Sequence, residues 1–203
     1  MENTRKFIGL KDVILVTLLT AICIAIVTVV VIPFAANIQL TLWLVSALDL
    51  LLCGPVYMLM VSKAPRYGTQ LLYSVLFAIY YFITNGMILI SLMIIGVGIV
   101  RELMMLKGGY RSPLRLTISY TLFGLGVLFA PIVMVFATRQ QMIDIMLSNG
   151  LTLEYAESMF AIYSPTNILI AVVSTIAGGV LGCFLGYAML KKHFRPAGIV
   201  EGA

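Results

Sequence analysis

One acidic residue lies deep in an apolar stretch and is the first candidate for chemistry. Asp49 stands in the segment SALDLLLCGPV, within a run long enough to cross a membrane. A charged group at that depth costs about 2.5–3.5 kcal/mol on insertion scales, so its side chain should face a bundle interior or water. It either binds a cation, a cationic substrate group or a proton, or it is a buried carboxyl that only orders neighbouring helices. The lack of a second acid at matching depth favours the structural role.

Polar and aromatic residues gather at one end of several apolar runs. They open the second run, end the third and lead into the last. Convergence of such groups at one end of a bundle is typical of a small-molecule pocket. The aromatic belt of a membrane interface explains the tryptophan and some tyrosines equally well, but it explains the asparagines poorly. The residues are Asn37, Gln39, Thr41, Trp43, Tyr80, Tyr81, Thr84, Asn85, Tyr155, Tyr163, Ser164, Thr166 and Asn167.

The sequence offers no set of residues for enzymatic catalysis. His193 is the only histidine and lies in LKKHFRPAG, a setting more typical of a basic collar than of a metal site. No P-loop and no G-x-S-x-G motif is present, which excludes ATP hydrolysis by a Walker mechanism. We expect a protein that is not an enzyme and has no cofactor.

Membrane helices must position these residues. The chain of 203 residues is 62% hydrophobic and 10% charged, whereas soluble domains have about a quarter charged residues. A helix needs about 20 apolar residues to cross the hydrocarbon core. Turn residues at Thr84-Asn85-Gly86 divide the long run from Gln70 to Leu106 into two short helices. A single all-α membrane domain over residues 1–203 is therefore predicted, a six-helix bundle with spans at about 12–34, 39–62, 69–84, 86–106, 113–136 and 165–190.

The basic residues predict the orientation of the bundle. With six spans, Arg139 alone lies on one side of the membrane and the other basic residues share the opposite side, which identifies that side as cytoplasmic. Both termini are then cytoplasmic. The net charge of +5 needs no nucleic-acid partner, because a basic collar lies beside anionic lipid. The collar comprises Arg5, Lys6, Lys11, Lys63, Arg66, Arg101, Lys107, Arg111, Arg115, Lys191, Lys192 and Arg195.

The segment over residues 138–164 is left outside, between the fifth and sixth spans. Apolar residues recur in it at helical spacing on both sides of Ser148-Asn149-Gly150. This pattern predicts an extracellular helix-turn-helix lid. A helix that merely rests on lipid headgroups fits the pattern equally well.

Two stripes of small residues predict close helix contacts. Ala21 and Ala25 are one turn apart in the first span, and Gly178, Gly182 and Gly186 form overlapping G-x-x-x-G pairs in the last. Small residues allow helix backbones to approach closely in membranes. For the glycines, packing against a helix of the same chain is favoured over a docking surface for another subunit.

Two segments carry a resemblance to a known family. GPVYMLMVSKAPRYG (Gly54 to Gly68) and MLKKHFRPAGIV (Met189 to Val200) resemble the Trep_Strep group of bacterial membrane proteins. Members of that group are classed as S components, the substrate-binding membrane subunits of energy-coupling factor (ECF) transporters. Six short helices in about 200 residues, an alanine face in the first helix and an outer pocket fit that class.

The resemblance implies a multi-pass protein of the bacterial plasma membrane that captures a vitamin or another micronutrient. Its partners would be a T component and two ABC ATPases, and Ala21 and Ala25 would dock on the T component. Haem is suggested for some relatives, and methionine or tyrosine side chains of the lid could hold its iron; methionine is also an ordinary filler of apolar surfaces. The candidate substrate-binding residues are Asn37, Gln39, Trp43, Tyr80, Tyr81, Asn85, Met142, Met146, Tyr155, Met159, Tyr163 and Asn167.

Two rival functions stay open. A stand-alone secondary transporter or channel would need ion ligands near the midplane or an internal repeat, and Asp49 is the one candidate ligand. A membrane scaffold without transport activity would bind no small ligand tightly.

Overall fold

A computed structural model describes residues 7–86, 88–106 and 108–194 of the chain. The side chains of Asn85, Ile145, His193 and Phe194 are not part of that description, and Arg5, Lys6, Lys107 and Arg195 lie outside it. The prediction of an all-helical chain is confirmed for these ranges, in which no strand forms. The helices are α1 (Leu10–Val31), α2 (Ile38–Lys63), α3 (Thr69–Asn85), α4 (Ile88–Met104), α5 (Pro113–Ala137), α6 (Arg139–Ser148), α7 (Leu153–Ala161) and α8 (Pro165–Met189).

Four of these helices are long and apolar enough to cross a membrane, namely α1, α2, α5 and α8. The helices α3 and α4 have 17 residues each and fall below that length. They are separated near Gly86, whose φ of 67° is the left-handed conformation that ends many helices. Each predicted span thus coincides with a helix, while six membrane crossings and cytoplasmic termini stay a prediction.

Glycines bring α2 and α8 into backbone contact, and this is the most extensive helix pair in the fold. A Cβ atom placed on Gly178 would lie 2.2 Å from the carbonyl oxygen of Ala47, and one on Gly182 would lie 2.2 Å from that of Leu50. At Gly186 the corresponding distance is 2.8 Å, to the carbonyl oxygen of Gly54. Packing within the chain is therefore confirmed for this stripe, and its use as a docking surface for another subunit is wrong.

A π-helical turn over Thr41–Val45 interrupts α2 before the regular helix that begins at Ser46. Such a turn accommodates one extra residue and frees backbone carbonyls from the regular ladder. The carbonyl oxygen of Trp43 accepts a hydrogen bond from the hydroxyl of Ser174 on α8. This bond ties the N-terminal part of α2 to α8.

At the basic end of the bundle, Glu102 caps the N-terminus of α3. One of its oxygens accepts hydrogen bonds from the backbone N–H groups of Gln70 and Leu71, at 3.0 and 3.2 Å. The hydroxyl of Tyr110, which follows α4, donates to the same carboxylate. Burial and the neighbouring Glu102 raise the pKa of Tyr110 above its usual range, so this residue remains a neutral donor.

Arg101 was predicted to belong to the basic collar, but its side chain is completely buried among α3, α4 and α5. The guanidinium donates to the hydroxyl oxygen of Ser119 at 3.2 Å, to that of Ser74 at 2.9 Å and to the amide oxygen of Gln70 at 2.6 Å. Within the described part of the chain no carboxylate lies within ion-pair distance of it. Neutral polar groups and aromatic rings therefore solvate this buried cation.

Candidate functional site

Four helices line a partly open cavity in the half of the bundle that the charge pattern predicts to face outside. Its free volume is about 20 Å³, which holds about one water molecule. α1 contributes one lining residue, and α2, α3 and α5 contribute the others. The lining consists of Val27, Ser46, Asp49, Leu50, Cys53, Tyr73, Phe77, Tyr81, Tyr120, Phe123, Gly124 and Val127.

Among the residues that the structure describes, Asp49 is the acidic residue of this lining, and no basic residue belongs to it. Its Oδ1 atom is buried and has no hydrogen-bond partner among the described residues. Ser46, one turn earlier on α2, already donates its hydroxyl to the carbonyl of Gly124 at 3.4 Å. The carboxylate can therefore accept a hydrogen bond from a molecule in the cavity, or bind a cation there, without losing a contact that stabilises the fold.

Aromatic rings form the wall of the cavity. The ring centroids of Tyr73, Phe77 and Phe123 are 4.9–5.1 Å from one another, in tilted or edge-to-face arrangements. Tyr120 donates its hydroxyl to the carbonyl of Leu50 at 2.9 Å, which leaves its ring as the surface it offers. Such a wall suits the flat face or the cationic group of an organic molecule.

Arg101 contacts two of the same rings although it does not line the cavity. Its guanidinium carbon lies 4.7 Å from the ring centroid of Phe123 and 5.3 Å from that of Tyr73. Cation–π contacts and the three hydrogen bonds hold the side chain in one position. The positive charge of Arg101 therefore lies against the aromatic wall. Arg101 also fixes the positions of two rings of that wall, those of Phe123 and Tyr73.

Only part of the predicted substrate site converges on this cavity. Tyr81 lines it, and Tyr80 accompanies Tyr81 with ring centroids 5.3 Å apart. The hydroxyl of Tyr80 is hydrogen-bonded to that of Thr28 on α1 at 3.1 Å. The side chain of Asn85 lies outside the described part of the chain.

Several of the other candidate residues make hydrogen bonds at helix ends or pack in a second apolar cluster. Asn37 accepts a hydrogen bond from the backbone N–H of Leu40 and so caps α2, while Asn167 donates its amide to the carbonyl of Ile162 at 2.8 Å. Trp43 and Tyr163 pack around the cluster of Leu42, Leu128, Ile132 and Ala171. Gln39 is half-buried in the first turn of α2. None of these four residues lines the cavity.

The lid segment forms two helices, as the pattern predicts, but its candidate residues lie apart from the cavity. Met142, Met146 and Met159 are half-buried and Tyr155 is exposed. An open groove lies between the end of α5 and the two lid helices, and none of the four lines it. Within the part described, the geometry does not bring the lid methionines to the aromatic wall; whether they bind substrate stays a prediction.

Most residues of the cavity lining were not among the predicted substrate-binding residues. Helical spacing is the sequence pattern that could have identified them. Tyr73, Phe77 and Tyr81 follow one another at intervals of four and share one face of α3. Tyr120 and Phe123 are separated by three residues and share one face of α5. Combined with the buried acid, these two stripes indicate an aromatic acidic pocket.

The small residues of α1 face away from the bundle. Ala21 and Ala25 are exposed, whereas Val16, Thr20 and Cys23 form the face that packs against α2 and α3. In the described residues no other helix covers the alanines. A shallow strip thus runs along the outside of α1.

Together these features define a helical integral membrane protein with an interior pocket and an uncovered small-residue face. A family model described as hypothetical bacterial integral membrane protein (Trep_Strep) matches residues 10–195, and the chain belongs to this family. Neither a curated protein nor a solved structure matches the chain.

Proposed function

We propose that the protein is the substrate-capture subunit of an ECF-type importer for a small organic micronutrient. The cavity is the observation that carries the proposal. It is lined mainly by apolar and aromatic groups and contains one carboxylate oxygen with no partner in the described chain, the mixture of groups that is typical of small-ligand sites. A subunit without a P-loop needs separate ATPases to drive import, and a T component would connect them to this chain.

The exposed face of α1 supports docking on the T component. Ala21 and Ala25 allow a second helix to approach closely, and the helices of this chain leave them open. The glycine stripe of α8 is occupied by α2, so it does not compete for that role. We infer that the outward strip of α1 is the contact with the T component.

A tagged pull-down from native membranes in mild detergent, analysed by mass spectrometry, tests the proposed function. We expect recovery of a T-type membrane protein together with two related ATPases. A preparation that contains this chain alone, repeated under nutrient limitation, would contradict the proposal.

Replacing Ala25 with tryptophan is expected to reduce recovery of the T component at least tenfold while the variant still folds. A large ring on the exposed strip keeps the two helix backbones apart, but it contacts nothing inside the bundle. Ala177→Trp is the matched control, because Ala177 is also an exposed alanine within a long helix, on α8. Equal recovery with both variants would show that the α1 strip is not the docking surface.

A stand-alone secondary transporter is the second candidate, and the unpaired oxygen of Asp49 is the observation that favours it. Purified protein in liposomes would then accumulate substrate under an ion gradient without ATPases. The proposed capture subunit shows no such accumulation.

A further inference from the structure

We infer that Asp49 is a proton-binding site, whose side chain is a neutral carboxyl group that shares the cavity with one bound water molecule. The cavity then contains hydrogen-bonding groups but no net charge. This inference goes beyond the proposed function, because it depends on the cavity alone and holds whether or not the chain docks on a T component.

The free volume of the cavity limits what can lie beside Asp49. It is about 20 Å³, and one water molecule needs about 10–15 Å³ of such volume and roughly two to four polar partners. The Oδ1 atom of Asp49 is buried and has no partner among the described residues, and Ser46, which carries a hydroxyl, belongs to the same lining. A single water molecule therefore fits this space and gives the orphaned oxygen a hydrogen-bond partner.

The charges around Asp49 favour the neutral form of its side chain. An ionised carboxyl group in an apolar site is costly unless it is paired, and no lysine, arginine or histidine belongs to the described lining. Arg101 is a buried cation, but its three hydrogen bonds go to neutral side chains of α3 and α5. A proton taken from the solvent removes this cost, because the neutral group needs only hydrogen bonds.

The other titratable side chains near Asp49 do not supply a positive charge. The titratable residues that share its lining are Cys53, Tyr73, Tyr81 and Tyr120. The thiol of Cys53 donates to the carbonyl of Cys23 on α1 at 3.6 Å. On α8, which also packs against α2, the titratable residues are Cys183 and Tyr187, and neither lines the cavity. Thiols and phenols are neutral or negative, so none of these groups neutralises a carboxylate.

Infrared spectroscopy of the full-length protein at neutral pH tests the inference, because protonated and ionised carboxyl groups absorb at different frequencies. A maltoside detergent is used, since it has no ester carbonyl that would mask the signal. The chain has three aspartates, of which Asp12 is ion-paired with Arg66 and Asp144 is an exposed lid residue. We expect the carbonyl band of one protonated carboxyl group per chain, which moves when aspartate is labelled with carbon-13 at the side-chain carboxyl. Asp49→Asn should remove this band completely, and the control variant Asp144→Asn should keep it at full intensity.

The frequency of the same band reports on the bound water molecule. A protonated carboxyl group that is hydrogen-bonded to water absorbs at a lower frequency than the same group in a dry, alkane-like site. We expect the frequency of the hydrogen-bonded group. A band at the frequency of a dry acid would refute the bound water.

The remaining outcomes decide the charge of Asp49. The inference is overturned if the unaltered protein has no protonated band that depends on aspartate labelling, or if the band persists in Asp49→Asn. Isotope labelling is done on the unaltered protein, so it gives a result even if Asp49→Asn does not fold. Recovery of the T component in the pull-down without such a band would leave the capture role standing and refute the proton site alone.

Discussion

Replacement of Arg101 by alanine is expected to lower the thermal unfolding midpoint by roughly 6–12 °C. The guanidinium makes three hydrogen bonds to Ser74, Ser119 and Gln70, and hydrogen bonds to charged groups contribute about 1.5–3 kcal/mol each. Even a net loss of about 3 kcal/mol after relaxation gives a shift of that size, at about 2–4 °C per kcal/mol for a chain of this length. Thermal unfolding in detergent, followed by circular dichroism, measures it.

Two variants control for this effect. Arg101→Lys keeps the charge but lacks the planar fork, so it is expected to recover only a small part of the stability. Arg111→Ala removes an exposed cation at the same end of the bundle and should change the midpoint little. If Arg101→Ala were as stable as the parent protein, the buried network would be dispensable, and the fixed position of Phe123 and Tyr73 would need another explanation.

Gly182→Ala is the second substitution with a large expected effect, a loss of about 3 kcal/mol. The added methyl group would lie 2.2 Å from the carbonyl oxygen of Leu50 and 3.1 Å from Cα of Leu51. Both are backbone atoms, so no side chain can rotate away and α8 must separate from α2. The expected result is a fall in the unfolding midpoint comparable with that of the Arg101 variant, and reduced binding at the cavity, because α2 carries Asp49.

Gly96→Ala is the matched control for the glycine substitution. Gly96 lies within α4, and a Cβ atom there would meet nothing within 4 Å. Alanine favours a helix over glycine by about 1 kcal/mol, so this variant should be unchanged or slightly more stable. A similar loss of stability in both glycine variants would show that the α2–α8 contact is not the specific cause, since helix propensity alone predicts a gain in both.

The helices and the glycine contact could be predicted from sequence because each depends on a local pattern. Apolar runs and the turn at Thr84-Asn85-Gly86 correspond closely to helix bounds, and the spacing of Gly178, Gly182 and Gly186 specifies one face of α8. Such patterns need no knowledge of which helices are neighbours. The sequence pattern did not reveal that α2 is the helix packed against this glycine face; the structure was needed to identify it.

The site was harder to predict because residue type does not distinguish a ligand from a cap. Asn37 and Asn167 lie at helix ends, where an amide satisfies the backbone groups of the helix as readily as it binds a substrate. Arg101 is near the end of α4, so its charge resembles a collar residue until the surrounding helices are known. Asp49 was recognised from the sequence, but its aromatic surroundings come from helices that are distant along the chain.

A π-helical turn such as the one over Thr41–Val45 takes up one residue more than an α-helical turn. A chain with one residue fewer here could therefore form an uninterrupted α-helix, and the segments on either side would keep nearly their present rotation about the helix axis. Ser46 and Asp49 would stay in the cavity lining, while the carbonyl of Trp43, which accepts the hydrogen bond from Ser174, would return to the regular helical ladder. The turn is thus a point at which related chains could differ in length by one residue without displacing the acid.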